Sequence, residues 1–218
     1  MNDIKIKKYK IDKIFKLLSK EYFSPKTALK YINQYTFLIS VVLSAQSTDV
    51  SVNKVTKDLF KVAKNPREMV RLGEENLKEF IKTIGLYNSK AKNIILLSKK
   101  IIKKYNNKIP KKFDELVSLP GVGNKTASVY QNTILKLPRI AVDTHVFRVS
   151  NRLGIVKTTT ADKTQLQLEN IIPKKWQMEA HHLLIFHGRR VCKSQNPDCN
   201  GCTLNKWCSY NQVKLNFL

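Results

Sequence analysis

The feature that most restricts the fold is a nine-residue segment from Leu119 to Ala127, which reads Leu-Pro-Gly-Val-Gly-Asn-Lys-Thr-Ala. Proline fixes one backbone torsion, and Gly121 and Gly123 can adopt torsions that other residues avoid. Helix-like spacing of apolar residues flanks the segment, so it predicts two helices joined by a tight turn. Backbone amides at the start of the second helix suit a phosphate group. An ordinary helix-turn-helix without a ligand is the alternative, because glycine turns are common.

Helical periodicity of apolar residues extends through most of the chain, so the expected fold class is all-α. The predicted helices cover residues 11–22, 36–45, 50–62, 74–83, 89–105, 113–118 and 124–136. Asp49 is expected to cap the third of these, because a carboxylate oxygen can accept from the free amides at a helix start. Residues 140–142 form a strand-like run that is too short to carry a sheet.

Basic residues greatly outnumber acidic ones: 40 lysines and arginines stand against 16 aspartates and glutamates, which gives a formal net charge of +24. This excess favours a polyanionic partner, most often a nucleic acid. Drift in base composition is the alternative explanation, because lysine strongly dominates over arginine. The apolar runs are too short to span a bilayer, and the N-terminal residues lack the apolar stretch of a signal peptide. We therefore expect a cytoplasmic protein with no membrane association.

The four cysteines lie together near the C-terminal end, at Cys192, Cys199, Cys202 and Cys208. Thiols stay reduced in the cytoplasm, so a metal site is a better hypothesis than disulfides. Six, two and five residues separate consecutive cysteines, whereas structural zinc sites usually have two close pairs. Four thiolates with no histidine at ligand spacing favour an iron–sulfur cluster, and zinc remains the alternative.

Two residues are candidates for chemistry. Lys125 lies in the first turn of the helix after the glycine turn, where the helix dipole and nearby positive charge disfavour an ammonium group. A neutral lysine amine is the nucleophile of imine chemistry, although a solvated surface lysine is the simpler alternative. Asp143 follows three apolar residues, which predicts either a partly buried functional carboxylate or the N-cap of a helix beginning near Thr144.

Together these segments resemble the endonuclease III family, the bifunctional DNA glycosylases and abasic-site lyases of the helix-hairpin-helix superfamily. The resemblance runs from about residue 11 to residue 210, nearly the whole chain. The matching segments are residues 43–49 (Leu-Ser-Ala-Gln-Ser-Thr-Asp), 84–91 (Ile-Gly-Leu-Tyr-Asn-Ser-Lys-Ala), 119–127, 142–145 (Val-Asp-Thr-His), 181–182, 187–189 and the cysteine loop. Their joint occurrence in this order is highly specific.

The resemblance implies a two-lobed, all-α DNA glycosylase fold. A six-helix barrel domain containing the helix-hairpin-helix would cover residues 27–137. Residues 1–26 and 138–218 would form a second helical domain, in which the four cysteines hold a 4Fe-4S iron–sulfur cluster. Lys125 and Asp143 would face each other across the cleft between the lobes. The protein would act as a monomer on double-stranded DNA that carries a damaged base or an abasic site.

The same resemblance implies a reaction, in which a base-excision-repair N-glycosylase removes oxidised pyrimidines and then cuts the strand by β-elimination. Lys125 would attack the anomeric carbon of the sugar, displace the base and form an imine. Asp143 would stabilise the developing positive charge and assist deprotonation. The base must first leave the stack, because the attacked carbon is hidden in the duplex.

The resemblance also implies contacts with DNA. Gln46 would fill the gap that the flipped base leaves, and Leu86 would enter between bases as an apolar wedge. Ordinary core or turn packing is the alternative for both residues. Gly121, Gly123 and His145 are the further expected DNA contacts.

Two departures from the family pattern concern DNA affinity. Asn124 stands where the family usually has arginine, so one cation beside Lys125 is missing. The segment 193–198 contains one lysine and one aspartate where the family is usually rich in basic residues. We therefore expect weaker backbone contacts from the cysteine loop than from the glycine hairpin.

Three other functions remain open from the sequence. An adenine-mismatch glycosylase of the same superfamily shares the hairpin, the aspartate and the cluster, but it usually has no lysine at the position of Lys125. A non-catalytic DNA-binding module is disfavoured by the presence of Lys125, Asp143 and all four cysteines together. A zinc-stabilised RNA-binding protein would agree with the charge but not with this pair.

Overall fold

The computed structural model describes residues 2–23 and 27–211, and its regular secondary structure is helical throughout. The helices are α1 Asn2–Glu21, α2 Gln34–Ser44, α3 Asp49–Val62, α4 Pro66–Leu72, α5 Glu74–Ile81, α6 Tyr87–Tyr105, α7 Phe113–Val117, α8 Asn124–Thr133, α9 Thr144–Arg152, α10 Ala161–Ile171 and α11 Lys174–Arg190, with a 3₁₀ helix at Asn205–Trp207. No strand occurs in the described part of the chain, so the all-α prediction is confirmed. None of the described helices is both long enough and apolar enough to cross a membrane.

The chain divides into two compact units. The central unit comprises residues 28–135 and contains α2 to α8. The terminal unit comprises the described residues of 1–27 and 136–218, and it contains α1, α9, α10, α11 and the four cysteines. Each unit has its own apolar core, so each holds its functional side chains on a separately packed framework.

Helix α2 lies at the centre of the central unit and is buried without interruption from Tyr35 to Leu43. Apolar residues lie on all its faces, and it contacts α3, α6 and α8. A capping box fixes its start, because the Asn33 side chain accepts from the Thr36 amide while the Thr36 hydroxyl accepts from the Asn33 amide. Helix α2 therefore has a defined position, and so does the turn that follows it.

Two details of the predicted helices are wrong. Thr48 caps α3 in place of Asp49, because the Thr48 hydroxyl accepts from the Ser51 amide and Asp49 is already the first helical residue. The helix predicted over residues 124–136 ends at Thr133. Lys136 beyond it has a left-handed φ of +56°, which a right-handed helix cannot include.

Helices α4 and α10 are not among the predicted helices, although both begin with recognisable signals. Asn65 caps α4 and Pro66 occupies its first position, where a missing amide proton costs nothing. Thr160 caps α10 by accepting from the Lys163 amide. Helix α4 has only seven residues, but α10 has eleven and is no shorter than α2, so length explains the omission of α4 alone.

The core of the terminal unit joins distant parts of the sequence. Helix α1 packs against α11, and the ring of Phe15 stacks on that of Trp176 at 6.2 Å between centroids. The indole of Trp176 donates to Asp12 Oδ1 at 2.8 Å. Helix α9 also packs against α11, which brings the segment after Asp143 close to the start of the cysteine loop.

Candidate active site and cysteine loop

The glycine hairpin joins α7 to α8 in the central unit. Gly121 has φ +76°, and a Cβ there would lie 3.0 Å from Asn93 Cβ, so both backbone conformation and space require glycine. Gly123 has an ordinary extended backbone and precedes α8 without a side-chain cap. A Cβ at Gly123 would meet nothing within 4 Å, so space lies open in front of the start of α8. The predicted pair of helices joined by a tight turn is confirmed.

Lys125 is the second residue of α8, and its side chain is exposed. Val122 before it and Ala127 after it are buried in the core of the central unit. These two anchors hold the start of α8 against the core while Lys125 projects from it. The local sequence therefore places an exposed lysine two residues after Gly123, in the first turn of α8.

Asp143 caps α9 in the terminal unit, where its Oδ1 accepts from the Val146 amide at 2.8 Å. The side chain is half-buried and follows three buried residues, Ile140 to Val142. The N-cap prediction is confirmed, and the cap fixes the orientation of the carboxylate. A carboxylate at this end of a helix is also stabilised by the helix dipole.

His145 lies in the first turn of α9, and its Nδ1 is 3.1 Å from Arg148 Nη2. Burial lowers the pKa of His145; the nearby Arg148 and Arg189 act in the same direction, whereas Asp143 opposes them. The neutral imidazole is therefore the form expected at neutral pH. A Cβ at Gly188 would lie 3.0 Å from His145 Cβ, so glycine on α11 allows α9 to approach closely.

Two arginines of α9 hold the cysteine loop by its backbone. Arg148 donates through Nη2 to the Gly188 carbonyl at 3.0 Å and through Nε to the Cys192 carbonyl at 3.1 Å. Arg152 donates to the carbonyls of Lys193 at 2.7 Å and Ser194 at 3.0 Å. Sequence reasoning missed this role, since the bonded residues are some 40 positions apart.

The four cysteines are free thiols, and all are half-buried. Cys192, Cys202 and Cys208 pack against the core of the terminal unit. Burial raises the pKa of Cys202 to about 11, and the thiols of Cys208, Cys192 and Cys199 add to the rise. Such a set of thiols suits a positively charged metal group, because the metal favours the thiolates that burial disfavours.

Two further contacts involve the sulfur atoms of the loop. His187 Nε2 lies 3.6 Å from Cys202 Sγ, and Arg152 Nη1 lies 3.6 Å from Cys192 Sγ. Within the described residues, no three His, Cys, Asp or Glu side chains converge on the site of a single metal ion.

Gln46 and Leu86 lie on two turns of the central unit and are both exposed. Both are non-glycine residues with left-handed backbones, at φ +54° and +60°. The turns touch, because a Cβ at Gly85 would lie 3.5 Å from the Gln46 carbonyl oxygen. Because both side chains are exposed, the alternative that they pack in the core is wrong. Their backbones do form turns, as the other alternative states.

Residues 39–174 match the family described as HhH-GPD superfamily base excision DNA repair protein. This match covers more than half of the chain and includes the hairpin, Lys125 and Asp143. The fold and the matched region together define a base excision DNA repair protein of the helix-hairpin-helix class.

Two relatives identify the family within this class of repair proteins. Endonuclease III of Rickettsia prowazekii (strain Madrid E) is 51% identical over 200 residues, which cover 92% of this chain and 94% of the relative. Endonuclease III of Escherichia coli (strain K12) is 44% identical over 188 residues, or 86% of this chain and 89% of the relative. The chain belongs to the endonuclease III family, and it is a bifunctional DNA glycosylase and abasic-site lyase.

Solved structures agree with this assignment. A trapped covalent intermediate of endonuclease III and DNA has a TM-score of 0.89 at 41% identity, and the match covers 95% of this chain and 98% of that chain. A thermostable thymine-DNA glycosylase has a TM-score of 0.85 at 21% identity and shares the fold. The family assignment decides between the two glycosylase hypotheses in favour of endonuclease III.

Proposed function

We propose that this chain removes oxidised pyrimidines from double-stranded DNA, with Lys125 as the nucleophile, and then cuts the strand at the same nucleotide. The observation that carries this proposal is the exposed Lys125 in the first turn of α8, two residues after Gly123, where a Cβ would meet no neighbour. A phosphate bound at that helix start would bring the neighbouring sugar within reach of the amine. The trapped endonuclease III–DNA intermediate supports a covalent step in the family.

The proposed reaction forms and breaks bonds in a balanced sequence. The Lys125 nitrogen bonds to the anomeric carbon while the bond to the base breaks, and the base leaves with a proton. The bond between the anomeric carbon and the ring oxygen then breaks, the oxygen takes up a proton, and the opened sugar is an iminium. This iminium makes the adjacent sugar proton acidic. Loss of that proton expels the 3′ phosphate, and water then releases the lysine from the sugar. Asp143 would stabilise the developing positive charge and assist deprotonation, and its cap on α9 holds the carboxylate in one orientation.

The remaining DNA contacts are proposed from the same resemblance. The amides at the start of α8 would bind the backbone without reading sequence, and Gly121 and Gly123 make the approach possible. Gln46 and Leu86 are exposed on touching turns, as residues that enter a duplex must be. His145 would contribute as a neutral hydrogen-bonding group, because its pKa is lowered.

We propose a 4Fe-4S cluster as the group that the four cysteines hold, and zinc is the alternative. The half-buried thiols, three of which pack against the core of the terminal unit, and the spacing of the cysteines support it. The cluster would supply four iron–sulfur bonds that order the loop. No step of base removal is assigned to it. We also propose a cytoplasmic location, with which a metal site on reduced cysteines agrees.

Borohydride trapping on DNA with an abasic site tests the nucleophile. Wild type should form a covalent adduct, and Lys125→Ala should form less than about a thousandth of it, because the nucleophile is gone. Lys57→Ala, which removes another exposed lysine of the central unit, should trap like wild type. No adduct from wild type, or a full adduct from Lys125→Ala, would overturn the proposal.

A further inference from the structure

Lys90 is a buried lysine in the first turns of α6, and the proposed reaction gives it no role. It is only 6% exposed, and it is the one buried lysine, arginine, aspartate or glutamate among the residues whose burial the structure describes. The sequence contains a signal for this, because Lys90 lies on the same helix face as the buried Ile94 and Ser98. Burial lowers the pKa of Lys90. The surrounding groups must therefore either provide partners for the charged ammonium group or favour the neutral amine.

Three acceptors surround the Lys90 ammonium nitrogen and match its three donors. Nζ donates to the Leu43 carbonyl at 2.9 Å, to the Ala45 carbonyl at 2.6 Å and to Ser47 Oγ at 3.2 Å. Leu43 and Ala45 are at the C-terminal end of α2, where carbonyls have no partner within the helix and the dipole favours a cation. The charge is therefore held by a complete set of partners.

These acceptors flank Gln46 on both sides. Ala45 and Ser47 are its immediate neighbours, so the Lys90 side chain is hydrogen-bonded to the turn on both sides of Gln46. The same lysine donates its backbone amide to the Leu86 carbonyl at 3.0 Å, which closes the first turn of α6. One residue thus connects the turn of Gln46 to the turn of Leu86, and both turns contain a left-handed backbone.

We propose that Lys90 is a positioning residue, which holds Gln46 and Leu86 as one rigid pair for entry into the duplex when the base leaves. The inference rests on the proposed function, because the roles of Gln46 and Leu86 belong to it. A left-handed backbone costs about 1 kcal/mol or more for a non-glycine residue, so these turns need such external support. Lys90 supplies this support from α6, the helix that starts directly after Leu86.

Lys90→Met tests the inference, because it keeps the length of the side chain and removes the donors. On a duplex with one oxidised thymine, base release should fall about 10- to 100-fold, the effect of misplaced positioning groups. Borohydride trapping on single-stranded abasic DNA should stay within about twofold of wild type, because no base has to be flipped there. A 2-aminopurine opposite the lesion should brighten with wild type, because it is unstacked, but not with Lys90→Met.

Tyr35→Phe is the matched control. Tyr35 OH lies 2.6 Å from Ser98 Oγ, which links α2 to α6 at a point away from both turns. This variant should lose a comparable buried hydrogen bond and still give normal duplex activity and 2-aminopurine signal. Ser47→Ala, which removes one of three acceptors, should show a smaller loss on duplex DNA and provides the test if Lys90→Met does not fold.

The outcomes separate the inference from the proposed function. Normal base release from duplex DNA by Lys90→Met would overturn the inference. An equal loss of activity on duplex and single-stranded DNA would also overturn it. So would a loss of duplex activity in Tyr35→Phe as large as that in Lys90→Met. If Lys90→Met does not fold, Ser47→Ala with unchanged duplex activity would overturn it. A wild-type protein that forms no adduct on either DNA would overturn the proposed function itself.

Discussion

The turns of the central unit and the cysteine loop of the terminal unit are stabilised in different ways. In the central unit, Lys90 donates three side-chain hydrogen bonds to the turn around Gln46 and the end of α2 before it. In the terminal unit, Arg148 and Arg152 hold the loop backbone, but the four half-buried thiols offer their sulfur atoms to a metal group. We infer that the central unit is complete as a polypeptide, whereas the terminal unit depends on the proposed cluster.

The largest expected effect comes from Cys202→Ser, which removes one ligand of the proposed cluster. Visible colour should be lost, and the terminal unit should unfold at clearly lower urea, because metal binding contributes to folding free energy. Both tryptophans, Trp176 and Trp207, lie in the terminal unit, so their fluorescence follows it alone while circular dichroism follows both units.

Ser194→Ala in the same loop is the control, because only its carbonyl takes part in the contact with Arg152. It should keep both colour and stability. A colourless wild type with an unshifted Cys202→Ser transition would show that the loop needs no cluster, and the comparison of the units would fail.

A smaller effect is expected from acid, and again only in the terminal unit. All four histidines belong to it, and burial lowers the pKa of His182 from 6.5 to about 4. Between these values the unfolded chain binds the proton and the folded chain does not. Stability therefore falls as pH drops through this window, by at most about 3 kcal/mol.

Urea unfolding at pH 7 and pH 4.5, followed by tryptophan fluorescence, measures this effect. His182→Asn should flatten the pH dependence, because the asparagine does not titrate. An identical slope in wild type and variant would assign the acid sensitivity to other groups.

The smallest effect concerns the two glycines of the hairpin in the central unit. Gly121→Ala should lower the free energy of unfolding by about 1–2 kcal/mol, because its backbone is left-handed. Gly123→Ala should change it by no more than roughly 0.5 kcal/mol, because a Cβ there meets no neighbour. Thermal melts by circular dichroism compare the two, and equal losses would contradict the assigned geometry.

Local patterns made part of this structure predictable. The apolar run of α2, the glycine hairpin and the cap at Asp143 each depend on a few adjacent residues, and each is where the sequence places it. The error at Asp49 has the same origin, because two neighbouring residues are both good caps and only packing selects Thr48.

Long-range contacts were not predictable in the same way. Lys90 is one of many lysines, and its acceptors at Leu43 and Ala45 are more than 40 residues away. The left-handed backbones of Gln46 and Leu86 are no local preference of glutamine or leucine, since tertiary contacts impose them. The arginines of α9 likewise hydrogen-bond to the cysteine loop, although no periodic sequence pattern links the two segments.

The cap at Asp143 has a genetic consequence. Aspartate and asparagine codons differ by a single base, and asparagine caps a helix about as well as aspartate. One point mutation could therefore remove the proposed carboxylate while α9 keeps its start and the fold its stability. If the proposed role of the carboxylate holds, the product would be a folded protein that still binds damaged DNA but repairs it slowly.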